Sequence, residues 1–206
     1  GTQLYPVNEN DNTGNGITNP YGKTKYMIEE ILKDLYVSDK DWKIIILRYF
    51  NPVGNHKSGL LGENPTGVPN NLFPYILRTS IGEYPILKIF GKDYNTIDGT
   101  CVRDFIHVVD LANAHVESLI KISLNGIYIY NVGTGKGCSV LEMINTFIKI
   151  TGKQIKYEFA NRRDGDLENV YANVDKIRNE LGWSAKYNIE DICIDGFKYV
   201  TNKIEI

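Results

Sequence analysis

The chain has 206 residues with a formal net charge of −2, and 42% of its residues are apolar and 23% charged. These values are typical of a globular protein with one large domain or two small ones. We expect neither a nucleic-acid partner nor a membrane partner, because the longest basic run is Arg162-Arg163 and no apolar run approaches the roughly 20 residues of a membrane span.

The first predicted element is a helix that follows a loop. Residues 1–18 are rich in asparagine and glycine, have no periodic pattern and do not resemble a secretory leader. Asn19 and Pro20 then predict a helix start, since asparagine caps helices and proline fits the first helical position. Apolar residues at helical spacing extend the helix to about Val37.

Tyr21 and Lys25 are four residues apart and therefore lie on the same side of this helix. A nearby ammonium favours the phenolate form of a tyrosine, as would a cationic nicotinamide ring. A tyrosine tuned in this way can take a proton from a sugar or alcohol hydroxyl. The alternative is a surface tyrosine and lysine that merely share a helix face, and the spacing alone does not decide between them.

A buried strand comes next. Residues 43–50 form a nearly continuous apolar run, which is typical of a strand covered on both faces, as in a parallel sheet. The loop that follows, from residue 51 to Asn70-Asn71, lies after the carboxyl end of that strand, where open α/β sheets bind ligands. Its length and position favour a functional loop.

The rest of the chain alternates between helices and strands. We predict a helix over 72–81, a strand over 86–90, a helix capped by Asp110 and running to about 122, a strand over 128–132, a helix over 139–152, a strand over 155–159, and two closing helices near 175–181 and 189–203. The alternation predicts an α/β fold. Shorter strands in the second half suggest a smaller α/β subdomain.

The glycine-rich stretch from Gly133 to Gly137 follows a predicted strand, where phosphate-binding loops occur. It does not match the Walker pattern, and Cys138 stands where the dinucleotide pattern requires glycine. We interpret the stretch as a tight strand-to-helix turn. A turn beside a nucleotide cleft is the alternative.

Several polar side chains are candidates for ligand binding. The guanidinium groups of Arg103 and Arg163 match phosphate oxygens, with solvated ion pairs as the alternative. Asp166 can accept hydrogen bonds from ribose hydroxyls. The amides of Asn70 and Asn71 suit polar ligand groups, although as turn residues they need no ligand.

Four other residues with reactive side chains, one histidine and three cysteines, are expected to be structural. His107 lies in an apolar run and is interpreted as a core histidine. Cys101, Cys138 and Cys193 are widely spaced and fit neither a zinc site nor a disulfide framework. We interpret them as small buried hydrophobes in a reducing, cytoplasmic compartment.

Seven stretches in order along the chain closely resemble the UDP-glucose 4-epimerases, which are extended short-chain dehydrogenases/reductases. They are Asn-Pro-Tyr-Gly-Lys-Thr-Lys at 19–25, Leu-Arg-Tyr-Phe-Asn-Pro-Val-Gly at 47–54, Gly-Val-Pro-Asn-Asn-Leu at 67–72, Ile-Phe-Gly at 89–91, Asp-Gly-Thr-Cys-Val-Arg-Asp-Phe-Ile-His-Val-Val-Asp-Leu-Ala at 98–112, Tyr-Asn-Val-Gly-Thr-Gly at 130–135 and Arg-Arg-Asp-Gly-Asp at 162–166. The resemblance covers essentially the whole chain.

This resemblance implies an isomerase that uses NAD to interconvert UDP-glucose and UDP-galactose. Tyr21 would remove the proton of the sugar 4-hydroxyl while the C4 hydride passes to NAD, and the hydride would return to the other face of the keto sugar. Lys25 would hold the nicotinamide ribose and favour the Tyr21 phenolate. Tyr49 matches a position that contacts the cofactor.

The resemblance also assigns substrate positions. Asn51 matches a substrate contact at the end of the strand, and Val170 lines the sugar pocket, where its small side chain is expected to admit UDP-N-acetylhexosamines. Lys88 stands where an asparagine is expected in close relatives. The positions that match contacts to UDP are Asn70, Asn71, Leu72, Lys88, Ile89, Phe90, Arg103, Arg163 and Asp166.

The family pattern Gly-x-x-Gly-x-x-Gly, which binds the cofactor pyrophosphate, does not occur in this sequence. We therefore expect the C-terminal three-fifths of an epimerase. Residues 1–66 would be the remaining part of the Rossmann-like domain, with the tyrosine–lysine helix. Residues 67–206 would mainly form the UDP-sugar-binding subdomain, with 104–135 returning to the Rossmann sheet. Such a chain alone should bind NAD weakly and be inactive.

If the chain is the C-terminal part of an epimerase, we also expect it to expose one edge of its sheet and one face of a helix. The family forms homodimers through a bundle that includes the tyrosine–lysine helix.

Two alternative functions remain open at this point. One is another nucleotide-sugar short-chain dehydrogenase/reductase, such as a dehydratase or decarboxylase, and the other is a non-catalytic UDP-sugar-binding module.

Overall fold

A computed structural model describes residues 5–204, and its first helix is α1 (Pro20–Ser38). The helix begins as predicted, because the Asn19 side chain accepts a hydrogen bond of 2.7 Å from the Gly22 N–H and Pro20 occupies the first position. No residue of α1 is fully buried. The apolar side chains of Met27 and Ile31 are both more than half exposed.

The remaining predicted elements all occur, within about two residues of their predicted bounds at most ends, and five short strands that were not predicted lie between them. They are β1 (Lys43–Tyr49), β2 (Asn51–Val53), α2 (Leu72–Ser80), β3 (Leu87–Phe90), β4 (Val102–Arg103), β5 (Phe105–His107), α3 (Val108–Lys121), β6 (Gly126–Val132), β7 (Cys138–Ser139), α4 (Val140–Thr151), β8 (Tyr157–Ala160), β9 (Asn169–Val170), α5 (Asp175–Leu181) and α6 (Ile189–Ile204). The predicted α/β fold class is confirmed.

Parallel strands form the first half of the fold. Strand β1 pairs with β6, from Lys43 opposite Gly126 to Tyr49 opposite Val132, and β2 pairs with β5. The predicted strand over 43–50 therefore ends one residue early, at Tyr49, and β2 lies at the start of the predicted loop. The Phe50 N–H donates to Val132, and the next N–H, that of Asn51, donates to Asp104. The chain thus changes partner strand at Asn51, at the carboxyl end of β1.

The second half contains two small sheets. Strand β3 pairs in parallel with β8, while β4 lies between antiparallel β7 and parallel β9. The apolar faces of α2, α4 and α6 cover one core, built around Phe73, Ile144, Phe147 and Ile192. A separate core packs α3 and α5 against β6.

The prediction that Asp110 caps α3 is wrong. Helix α3 begins earlier, at Val108, because the His107 side chain caps it by accepting a hydrogen bond of 3.1 Å from the Val109 N–H. Asp110 instead lies buried in the first turn, where its carboxylate accepts hydrogen bonds of 2.9 Å from the N–H groups of Lys186 and Tyr187. The Asp110 carboxylate therefore binds residues distant in sequence and does not cap the helix.

The expected structural roles of His107 and the cysteines are consistent with their burial. His107 and Cys193 are fully buried and Cys101 is buried, whereas Cys138 is only partly buried, contrary to the prediction, and all three cysteines are free. Burial raises the pKa of the Cys193 thiol to about 12. The thiol pKa values of Cys101 and Cys138 are also raised by burial, so these groups stay protonated and unreactive.

The glycine-rich turn at 133–137 is confirmed as a tight turn, and a buried carboxylate fills it. Asp104 accepts hydrogen bonds from the N–H groups of Thr134 at 2.8 Å, Gly135 at 3.0 Å and Ala172 at 3.2 Å, and from the Thr134 hydroxyl at 2.6 Å. These turn amides are therefore bonded to protein. Through Ala172, the same carboxylate joins the turn to the chain that follows β9.

Within residues 5–204, no helix has both the length and the apolar character needed to cross a membrane.

Candidate active site

A cavity of about 290 Å³ lies between the loop before α2, strand β3 and the turn at 162–166. We call it the amide–arginine cleft. Eight of the residues predicted to contact UDP line it, namely Asn70, Asn71, Leu72, Lys88, Ile89, Phe90, Arg163 and Asp166. These residues come from three separate stretches of sequence, so the fold is what brings them together.

The Arg78 side chain anchors the loop that carries Asn70 and Asn71. Arg78 of α2 donates to the carbonyl oxygens of Gly67 at 2.8 Å and Pro65 at 2.5 Å. Asn71 is the N-cap residue of α2, but its side chain forms no capping hydrogen bond. The Asn71 amide contacts only Glu63, at 3.4 Å, and the Asn70 side chain forms no hydrogen bond with the described residues. Both amides therefore have capacity for a ligand.

The charged wall of the cleft is organised around Asp166. Its carboxylate accepts hydrogen bonds from Arg163 at 2.8 and 3.3 Å and lies 3.7 Å from a guanidinium nitrogen of Arg103. The Arg163 guanidinium lies over the Phe90 ring, 4.9 Å from its centroid. Arg103 is mostly buried, and it also donates to the Leu167 carbonyl. Two guanidinium groups against one carboxylate give this wall a net positive charge, which suits phosphate oxygens.

Strand β3 contributes to the cleft through alternating faces. Leu87 and Ile89 are buried, whereas Lys88 and Phe90 are exposed. The Lys88 ammonium lies 3.9 Å from Glu158 at a largely exposed position, so this contact is weak.

A second, larger cavity of about 650 Å³ lies at the carboxyl ends of β1 and β6. We call it the strand-end cavity. Three predicted site residues line it, namely Tyr49, Asn51 and Val170. Asn51 reaches the cavity because the chain changes partner strand at this position, as described above.

The pairing of β4 with β9 brings residues near the two cavities close together. Arg103, whose guanidinium lies beside Asp166 of the cleft, is paired in register with Val170, which lines the strand-end cavity. Parallel neighbouring strands lie about 4.8 Å apart. A ligand whose diphosphate binds near Arg103 therefore has the strand-end cavity within reach for its next group.

Tyr21 and Lys25 lie on the same face of α1, as predicted. The Lys25 ammonium nitrogen is 5.2 Å from the centroid of the Tyr21 ring, and the Tyr21 residue is 71% exposed. Neither residue is among those that line the two cavities. The end of α1 that carries them is close to the cleft, since a Cβ atom at Gly165 would lie 3.3 Å from the Thr18 hydroxyl.

A second tyrosine–lysine pair has identical spacing, with Tyr36 in the last turns of α1 and Lys40 two residues beyond the end of the helix. The Lys40 ammonium lies 4.2 Å from the centroid of the Tyr36 ring, near the other end of α1. The geometry of the pair therefore does not by itself distinguish a reactive tyrosine from an ordinary one. Position relative to the cavities is what separates Tyr21 from Tyr36.

Sequence reasoning missed most of the residues that line the strand-end cavity, among them Asn8, Asp11, Asn12, Thr13 and Arg48. The first four lie in the segment predicted only as a loop. One signal could have drawn attention to Arg48, because it is a charged residue at the end of an otherwise apolar strand. Its ion pair with Glu29 is described below.

Within residues 5–204, no cluster of three or more histidine, cysteine, aspartate or glutamate residues could hold a metal ion. The polar groups of both cavities are amides, guanidinium groups, hydroxyls and carboxylates, which suits an organic ligand bearing phosphates and hydroxyl groups.

Comparison with known proteins gives a consistent result. The sequence model of a family described as GDP-mannose 4,6 dehydratase matches residues 2–195. The chain is 50% identical over 190 residues to a UDP-glucose 4-epimerase of Bacillus subtilis, an alignment that covers 92% of this chain and 56% of that protein. The chain thus spans about half the length of the curated relatives it matches.

Two solved structures show the same fold. One is a UDP-glucose 4-epimerase from Bifidobacterium longum in complex with NAD+ and UDP, with a TM-score of 0.94 and 46% identity, covering 98% of this chain and 60% of that one. The other is a UDP-glucose 4-epimerase from Stenotrophomonas maltophila with bound NAD and formylated UDP-arabinopyranose. It has a TM-score of 0.95 and 42% identity, and the match covers 99% of this chain and 60% of that one.

Proposed function

Because the chain belongs to the family described as GDP-mannose 4,6 dehydratase and is similar to UDP-glucose 4-epimerases, we propose that it is the substrate-binding and proton-transferring part of an NAD-dependent UDP-glucose 4-epimerase. One observation carries the proposal. Residues from three distant stretches, each matching a UDP contact of the epimerases, line one cleft that adjoins a second cavity containing Asn51 and Val170.

The cleft holds the UDP part of the substrate. The amides of Asn70 and Asn71 offer donors and acceptors for polar groups of the nucleotide. Arg163 and Arg103 bind the diphosphate through charge-assisted hydrogen bonds. Asp166 accepts from the ribose hydroxyls, since a carboxylate has about four lone-pair sites and the arginines do not use all of them.

The sugar lies in the strand-end cavity, beside Asn51 and Val170. UDP-glucose and UDP-galactose are the proposed substrates. The small Val170 side chain leaves room for an N-acetyl group, so we include the UDP-N-acetylhexosamine pair among the substrates.

Tyr21 serves as the general base. Its phenolate takes the proton of the sugar 4-hydroxyl and returns a proton to the same oxygen after inversion. The Lys25 ammonium, 5.2 Å from the ring centroid, stabilises the phenolate charge. The solvent exposure of Tyr21 means that further residues must enclose it for efficient catalysis.

The residues present fit one end of the cofactor. Tyr21, Lys25 and the half-exposed Tyr49 would hold the nicotinamide and its ribose. The glycine-rich turn at 133–137 does not offer a pyrophosphate cradle, because Asp104 occupies the Thr134 and Gly135 amides. When bound, NAD would supply the acceptor for the hydride that leaves C4 of the sugar. Its pyrophosphate must be held by residues other than these.

Two further features of the proposal concern assembly and location. The exposed apolar face of α1, which includes Met27, Ile28 and Ile31, forms part of a homodimer interface as in the family. The enzyme works in the cytoplasm, where its free cysteines stay reduced.

A dehydratase is the second candidate, and the description of the matching family model favours it. Such an enzyme removes water from a nucleotide sugar after the same oxidation at C4. It would need an additional acid–base pair to eliminate water. GDP-mannose, the sugar nucleotide in that description, is therefore the natural control ligand.

Calorimetric titration with UDP-glucose and GDP-mannose tests the binding half of the proposal. We expect the chain to bind UDP-glucose selectively, and we expect Arg163→Gln to weaken that binding about 10- to 100-fold, because it removes charge-assisted hydrogen bonds. Arg162→Gln is the matched control. Arg162 is the adjacent arginine, but it pairs with the exposed Asp93 and lies over Tyr94. Equal binding of both sugar nucleotides, or equal effects of the two substitutions, would contradict the assignment of the cleft.

A test of the proposed catalysis requires a complete cofactor site. The chain can be joined to the remaining N-terminal portion of the Bacillus subtilis relative and assayed with UDP-galactose. Formation of UDP-glucose supports the epimerase. Loss of water from the sugar would indicate a dehydratase instead, and tight binding without turnover would indicate a binding module.

A further inference from the structure

A polar segment that the proposed function does not use forms one wall of the strand-end cavity. Asn8, Asp11, Asn12 and Thr13 line this cavity together with Asn51 and Val170. Their side chains offer amides, a carboxylate and a hydroxyl, which are groups that hydrogen-bond sugar hydroxyls. We call residues 8–13 the wall segment.

The wall segment has hydrogen-bonding capacity left over. One carboxylate oxygen of Asp11 accepts from the Asn8 N–H at 2.7 Å, while the other has no hydrogen-bond partner within residues 5–204. The side chains of Asn12 and Thr13 form no hydrogen bonds with the described residues. Donors and an acceptor thus line the cavity without protein partners at the place where the sugar is proposed to lie.

Hydrogen bonds fix the beginning of the segment to both halves of the fold. The Val7 N–H donates to Tyr171 at 2.9 Å, and the Val7 carbonyl accepts from the N–H of Asn173 at 2.8 Å, so that Val7 forms a parallel bridge with Ala172. The Val7 carbonyl also accepts from the Asn131 side chain, at the carboxyl end of β6. The segment is therefore attached both to the chain after Val170 and to the β1–β6 sheet.

Arg48 supplies the third attachment. It donates to the Glu9 carbonyl at 2.9 Å and forms two bonds, of 2.8 and 2.6 Å, with the Glu29 carboxylate on α1. The Glu9 side chain in turn accepts from the Asn131 N–H at 2.8 Å. The Arg48 and Glu29 side chains are each more than four-fifths buried, and Glu29 lies one helical turn after Lys25. Charge-assisted bidentate pairs of this kind impose a defined geometry.

We propose that the wall segment recognises the hydroxyl groups of the hexosyl part of a nucleoside diphosphate sugar, and that Arg48 is the positioning residue that holds this segment and the tyrosine–lysine helix against the strand ends. The inference rests on the proposed function, since that function places the sugar in this cavity. It adds a group of sugar-recognising residues to Asn51 and Val170, with Asp11 as its main acceptor.

Hydrogen exchange of the 206-residue chain with UDP and with UDP-glucose tests the proposal. Both ligands should slow exchange around 70–72 and 163–166, in the amide–arginine cleft. Only UDP-glucose should also slow exchange at residues 8–13. If UDP-glucose protects the cleft but leaves residues 8–13 unchanged, the wall segment does not contact the sugar and the proposal is wrong while the proposed function stands. If neither ligand binds, the proposed function fails and the sugar assignment fails with it.

Substitutions separate recognition from positioning. Asp11→Asn should weaken UDP-glucose binding about tenfold and change UDP binding less than twofold, because it alters an acceptor on the sugar side only. Equal weakening of both ligands would overturn the recognition role.

Arg48→Gln should abolish the additional protection of residues 8–13 by UDP-glucose while UDP still protects the cleft. Arg48→Lys should restore it only in part, since a single ammonium cannot span both Glu29 and the Glu9 carbonyl. Arg178→Gln, which removes an exposed ion pair with Asp175, is the matched control and should change nothing. Unchanged protection in a folded Arg48→Gln chain would overturn the positioning role, and Asp11→Asn tests the wall segment even if the arginine variants do not fold.

Discussion

The amide–arginine cleft and the tyrosine–lysine helix are both sites predicted from short motifs, yet the structure builds them very differently. In the cleft, side chains from three stretches converge, and Asp166 contacts Arg163 and lies near Arg103. On α1, Tyr21 is largely exposed and its geometry with Lys25 is nearly repeated by Tyr36 and Lys40. A binding site can thus be complete within this chain, whereas a reactive tyrosine depends on what surrounds it.

The largest expected effect concerns Tyr21. In the chain joined to the N-terminal portion of its Bacillus subtilis relative, Tyr21→Phe should lower turnover about 10²- to 10⁴-fold, because it removes the proposed general base. Binding of UDP to the cleft should not change. The measurement is the steady-state rate with UDP-galactose together with a UDP titration.

The second tyrosine–lysine pair provides the control for this experiment. Tyr36→Phe removes the same hydroxyl from a pair with the same spacing, in which Tyr36 lies on the same helix and Lys40 just beyond its end. It should leave turnover within about twofold of the unsubstituted protein. A similar loss in both variants would mean that the effect arises from helix stability and that Tyr21 has no special chemical role.

The next effect concerns Asp104, whose carboxylate bonds the glycine-rich turn at 133–137 to the chain that follows β9. Asp104→Ala would leave the buried N–H of Ala172 and the partly buried N–H groups of Thr134 and Gly135 without their acceptor, at about 1–3 kcal/mol for a buried donor, so we expect a loss of about 3 kcal/mol of unfolding free energy. Denaturant unfolding of the chain measures this. Asp164→Ala, at an exposed position in the turn beside Asp166, should change stability by less than about 0.5 kcal/mol.

Asp104 should also influence the strand-end cavity, because its backbone carbonyl accepts from Asn51 and its N–H donates to Val170, and both of these residues line that cavity. A stability loss that leaves UDP-glucose affinity unchanged in the folded variant would show that the cavity depends on Asp104 less than these bonds indicate.

The third effect concerns the size of the strand-end cavity. Val170→Tyr should lower turnover of UDP-N-acetylglucosamine relative to UDP-glucose by about tenfold or more, since the larger ring fills the space that an N-acetyl group would need. Val170→Ala keeps the space open and should preserve the ratio. An unchanged ratio in the tyrosine variant would mean that Val170 does not set sugar preference.

Local signals made most of the fold predictable. The Asn19 cap with Pro20, the Ser139 capping box and the left-handed Gly152 define the ends of helices through residues adjacent in sequence. The apolar run of β1 likewise gave the strand and its parallel pairing.

Features set by distant partners were not predictable in this way. The start of α3 was missed because Asp110 pairs with the N–H groups of residues 186 and 187 instead of capping the helix. The wall segment was missed because its asparagines indicate only a loop, and its place in the cavity depends on Arg48 and Asn131. The glycine turn could be identified as a turn, but no local signal showed that Asp104 would fill it.

The smallest effect concerns the pH dependence of stability. It affects how a loss of activity at acidic pH would be interpreted. His107 is fully buried outside both cavities, and its Nε2 atom lies 3.3 Å from Asp195 of α6. Burial lowers the His107 pKa below its usual value, although the carboxylates of Asp195, Asp110 and Asp191 act in the opposite direction. A loss of activity in acid could therefore come from this core histidine and not from the tyrosine–lysine helix.

The sign of the His107 effect follows from proton linkage. Because the folded pKa is lowered, the unfolded state binds more protons once the pH falls below about 6.5, so stability is fully present above that value and declines below it. The slope for one proton is at most about 1.4 kcal/mol per pH unit. His107→Gln should flatten the fall in unfolding free energy between about pH 7 and 5, while His115→Gln, at an exposed position on α3, should leave it unchanged. If the His107 variant keeps the full slope, other groups cause the acid sensitivity.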